Sequence, residues 1–73
     1  MPLYTNHTSF PAIVTIQIES TSEPGAAIQI GQEPIYAKQK ADKGWHDFQV
    51  DPGMTIEMSN GTVAVVLGVR MTG

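Results

Sequence analysis

Turn-forming residues punctuate this chain about every 8 to 10 positions, which is the rhythm of an all-β protein. "SEPG" occupies 22–25, "GQEP" 31–34, "DKG" 42–44, "DPG" 51–53 and "SNG" 59–61. Intervals this short leave room for strands and hardly any for helices of ordinary length. The runs between them are rich in Ile, Val and Thr and alternate as half-buried strands do. "AIVTIQIES" sets Val14, Ile16 and Ile18 against Thr15, Gln17 and Glu19. "AAIQI" groups Ala26, Ile28 and Ile30, "WHDFQV" sets His46, Phe48 and Val50 against Trp45, Asp47 and Gln49, and "MTIEM" sets Met54, Ile56 and Met58 against Thr55 and Glu57.

Two of the turns have hairpin chemistry. In "DPG" a proline with preset φ precedes a glycine that accepts positive φ, and "NG" is a favoured two-residue loop. The last three strands are therefore expected to form an antiparallel meander. "IYAKQKADK" reads as a short strand followed by a loop, because Pro34 before it and Gly44 after it leave little space for a helix. Residues 1–11 form an N-terminal arm or edge strand, and residues 12–73 form one small antiparallel sandwich or barrel of six or seven strands.

The terminal strand differs from its neighbours. "TVAVVLGVRM" places Val63, Val65, Leu67, Val69 and Met71 on one face and Ala64, Val66 and Gly68 on the other, interrupted only by Arg70. A strand that is apolar on both faces belongs inside something thicker than one sheet. The larger side chains are expected to pack on the domain's own core. The small-residue face, where a glycine often marks the close approach of another backbone, is expected to lie against a second sheet of the same chain or a neighbouring subunit, and the few residues to spare favour the subunit.

A domain of 73 residues leaves much of its surface exposed even when folded, so it commonly relies on disulfides, a metal or assembly. Cysteine is absent, which removes disulfides and thiolate metal sites together. His7 and His46 have no second ligand at metal spacing, so neither a metal nor another cofactor is expected. Assembly is the remaining support. Charged residues make up only 15% of the chain, against about 25% in typical soluble domains, and such a surface suits packing against protein. A net charge of −3 argues against nucleic acid and anionic membranes as partners. The start "MPLYTNHTSF" has neither the basic nor the apolar region of a signal peptide, and no apolar run is long enough to span a membrane. A cytoplasmic protein, or one built into a particle assembled there, is expected.

Candidate chemistry is sparse. His46 and Asp47 are adjacent, but neighbours on a strand point to opposite faces and cannot act as a base and its orienting carboxylate. No nucleophile stands in a recognisable motif, and catalysis is not expected. Trp45, the only tryptophan, suits the end of a small core, an interface anchor or a platform for a sugar ring. Lys38, Lys40 and Lys43 are three of the four basic residues. They suit an acidic partner surface, or a charged edge that discourages sheet-to-sheet pairing. "NHT" at 6–8 and "NGT" at 60–62 fit the glycosylation pattern only by chance in a chain without a signal peptide.

In size, cysteine-free β composition and lack of a chemical site, the chain resembles the small all-β capsid decoration, or cement, proteins of tailed bacteriophages. The resemblance implies a non-enzymatic structural protein of the virion: a homo-oligomer, a trimer among the forms allowed, clamped onto a capsid shell. The other reading is a small β-sandwich that recognises carbohydrate or a host-surface ligand through Trp45. Ala64, Val66, Gly68, Trp45, Lys38, Lys40 and Lys43 are the candidate interface residues.

Overall fold

The computed structural model describes residues 2–21, 28–59 and 61–72, and among these it has seven strands and no helix. They are β1 (Pro2–Thr5), β2 (Ala12–Thr21), β3 (Ile28–Gln32), β4 (Ile35–Gln39), β5 (Gly44–Val50), β6 (Thr55–Met58) and β7 (Thr62–Met71). All pairings are antiparallel, in two sheets ordered β1-β6-β3-β4 and β5-β2-β7. This is the all-β, sandwich-like architecture that the turn rhythm predicts. Ala26, the "SEPG" turn and Asn60 lie outside the described residues.

The core lies between the sheets. Val14, Ile16 and Ile18 of β2 are fully buried, as their alternation predicts, and they meet Ile28 of β3 and Ile56 of β6 from the opposite layer. Val50 closes one end, while Phe48, Met54 and Met58 pack around the margin. The largest fully buried side chains are isoleucines, and no aromatic ring is fully buried among the described residues.

The expected C-terminal meander does not form. β5 and β7 flank β2 in one sheet, while β6 lies between β1 and β3 in the other. The "DPG" turn has its expected local geometry: Met54 N–H donates to Asp51 O at 3.0 Å, and Gly53 has a φ of 80°. It carries the chain from one layer to the other instead of into a hairpin. The reason is burial. A hairpin would set the Phe48 and Val50 row beside the Ile56 row on one sheet face, whereas crossing the layers sets the rows against each other. Only β3 and β4, joined at "EP" across a cis Glu33–Pro34 bond, pair as consecutive strands. Gly31 permits that close pairing, since a Cβ there would stand 2.3 Å from Ile35 O.

Within the expected N-terminal arm or edge strand, β1 is an edge strand that pairs with β6 of its own sheet. The segment after it is fastened by Asn6, whose side chain is completely buried. Its Nδ2 donates to Phe10 O and Val50 O, each at 2.8 Å, and its Oδ1 accepts from Thr8 N–H and the Thr8 hydroxyl. The Asn6 main chain also bonds to Met54 O and Gly53 N–H. One residue thus ties three segments of the chain together. Nδ2, the atom that a glycan would modify in "NHT", is wholly engaged inside the fold.

Candidate interaction surface

β7 carries the principal correction to the sequence reading, which concerns which of its faces is covered. Residues directly opposed across an antiparallel pair share a sheet face. Ala64 stands opposite Ile18 and Val66 opposite Ile16, so both turn toward the core of their own chain. Ala64 is 7% exposed, and Val66 packs against the buried cluster. The second layer over these two residues is therefore within the chain, not a neighbour. Val63 and Val65, expected inside, stand opposite Ser20 and Gln17 and face outward.

The β2–β7 ladder has two irregularities, and the one at Leu67 reverses the faces of β7. Thr15 and Ile16 pair with Gly68 and Val66, leaving Leu67 as an extra residue, and Ile18 and Ser20 pair with Ala64 and Val63, leaving Glu19 extra. One inserted residue reverses which side chains point inward from that position on. Beyond Leu67, Val69 and Met71 lie on the core-side row opposite Val14 and Ala12, while Gly68 and Arg70 face out. Even so, Val69 and Met71 remain open. Val63, Val65, Leu67, Val69 and Met71 are all 38–49% exposed. β7 is also a sheet edge among the described residues, so apolar side chains and a sheet edge coincide along it.

The outer face of the same sheet carries the polar candidates. Asp47 on β5 accepts a hydrogen bond from the Thr15 hydroxyl of β2 and stands 3.7 Å from Arg70 Nη2 of β7, so this pairing crosses all three strands. Trp45, two residues along β5, is 71% exposed. It is not the cap of the core. With Thr15, His46, Asp47 and Arg70 it lines a shallow depression of about 290 Å³. His46 turns away from Asp47: its Nε2 lies 2.8 Å from Asp42 O, and its ring packs toward Phe48 at 6.0 Å. Nothing within 4 Å occupies the space where a Gly68 side chain would be.

Lys38 lies on the edge strand β4, while Lys40 and Lys43 lie in the connection to β5; all three are exposed. The structure thus brings Trp45 and Gly68 to one sheet, leaves Lys38 on the other, and turns Ala64 and Val66 toward the core. Neither Asn6 nor the exposed row of β7 was recognised from sequence as a key feature. Asn6 carries no local signal beyond turn chemistry, whereas the β7 row was visible as a row but not as an exposed one. No group of three or more His, Cys, Asp or Glu side chains is placed to hold a metal among the described residues. No helix among them is long and apolar enough to cross a membrane. Comparison with protein families, curated proteins and solved structures finds no match to this chain.

Proposed function

We propose that this protein is a non-enzymatic structural subunit that self-assembles and binds a protein surface, in the manner of a capsid decoration or cement protein of a virion. The observation that carries this reading is β7, a ten-residue edge strand with five exposed large apolar side chains. Exposed apolar side chains scattered singly are ordinary, but five along one strand, on both faces of an open sheet edge, make a site for protein association. The sparse charge of the chain supports the same reading. The resemblance to phage decoration proteins supplies the setting, a shell to which many copies attach without nucleic acid or membrane contact. Sedimentation at micromolar concentration should show a mass above that of the 7.9 kDa chain. A monomer throughout would overturn the proposal.

One observation favours a second reading. Trp45 lies open beside the Asp47 and Arg70 pair, so a flat apolar face adjoins hydrogen-bonding groups of both polarities. That combination suits a sugar ring or another host-surface ligand. Trp45 fluorescence titrated with a panel of glycans distinguishes the two readings, since a glycan-binding monomer would favour this one over the structural role.

A further inference from the structure

We infer that β7 pairs antiparallel with β7 of a second copy about a twofold axis, joining two three-stranded sheets into one of six strands. The inference deepens the assembly reading and rests on it. It begins from the four sheet edges, β1, β4, β5 and β7. Three of them carry features that hinder pairing with another chain. β1 is four residues long and starts at Pro2, β4 carries Lys38, and β5 carries Asp47 with Asp42 and Lys43 just ahead of it. β7 has ten residues and one charge, Arg70, which is directed across its own sheet toward Asp47.

The occupant follows from register. Outward residues must meet outward residues in a continuous sheet, and a slip of one position would set every row against the wrong face. With the axis between Val66 and Leu67, Val63 meets Arg70 of the second copy and Val65 meets its Gly68, all outward. Ala64 meets Val69, both on the core-side row. The faces of these pairs agree from Val63 to Arg70, and the extra residue Leu67 lies beside the axis. The two Arg70 side chains stay apart, and Gly68 leaves room for the opposing Val65.

The size is adequate. A ten-residue strand is about 33 Å long, which matches the 34 Å long axis of the molecule. Pairing along it satisfies the open main-chain edge, the feature by which an exposed strand recruits another chain. A twofold uses both β7 edges, so this contact closes at a dimer, and a trimer would need a different surface.

The test uses the absence of cysteine. Val65→Cys and Gly68→Cys chains are prepared separately, mixed and oxidised, with circular dichroism confirming that each is folded. Covalent dimer is expected in the mixture and not in either variant alone. Isotope-filtered NOEs between labelled and unlabelled wild-type copies, linking Val65 to Gly68, provide the same reading without substitution. A monomeric protein would overturn both the assembly reading and this pairing. An oligomer that shows neither cross-link nor NOE, or that joins β7 to β5, would overturn the pairing alone.

Discussion

Asn6 shows how much one side chain contributes to a small fold. It is the only fully buried large polar side chain among the described residues, and it donates to the Phe10 and Val50 carbonyls. Leaving buried polar groups unpaired costs about 1–3 kcal/mol. Asn6→Ala should therefore lower unfolding free energy by that order, measured by denaturant titration. Gly31 is a second such position, for steric reasons. A methyl group there collides with the main chain of Ile35, so Gly31→Ala should cost about 1–3 kcal/mol, as overpacked sites do. Equal stability of the wild type and this variant would mean that the β3–β4 hairpin yields more readily than its geometry indicates. Neither role could be read from composition. Asn6 looks like any turn asparagine until the distant Val50 carbonyl is brought to it, and Gly31 looks like any glycine before a turn.

Among the elements, β7 separates folding from assembly within a single strand. Val66 packs on the core and Val65 faces outward, so adjacent substitutions should have opposite consequences. Val66→Glu sets a carboxylate against the buried cluster and should unfold the chain or leave it severely destabilised. Val65→Lys should change the stability of the folded monomer by no more than about 0.5 kcal/mol, as for most surface positions, while abolishing self-association in sedimentation. If Val66→Glu remains folded and only assembly is lost, the face assignment of β7 is wrong. The lysines belong to a different element and are expected to act separately. Replacing Lys38, Lys40 and Lys43 with Gln should leave self-association intact and weaken attachment to an acidic shell, with a flatter salt dependence. Unchanged attachment would identify them as a solvated, charged edge.

For the whole molecule, the balance of core to surface is what makes assembly consequential. The buried hydrophobic residues are four isoleucines, two valines and three alanines among the described residues, a small core with no disulfide to assist it. Association that occurs only in the folded state raises apparent stability by mass action. The melting temperature should therefore rise with protein concentration, and a transition that is independent of concentration would contradict the assembly reading. By itself, the sequence determined the fold class, the places where the chain turns and the buried face of β2, because turn chemistry and period-two alternation are local properties. It also showed that the terminal strand has more apolar surface than one sheet face requires. Tertiary structure alone decided which strands pair, since the crossing at Asp51 to Gly53 depends on two distant apolar rows being buried against each other. It decided, too, which face of β7 remains outside: a single extra residue at Leu67, set by the ladder with β2, exchanges inside for outside, and alternation carries no mark of where such a residue will fall.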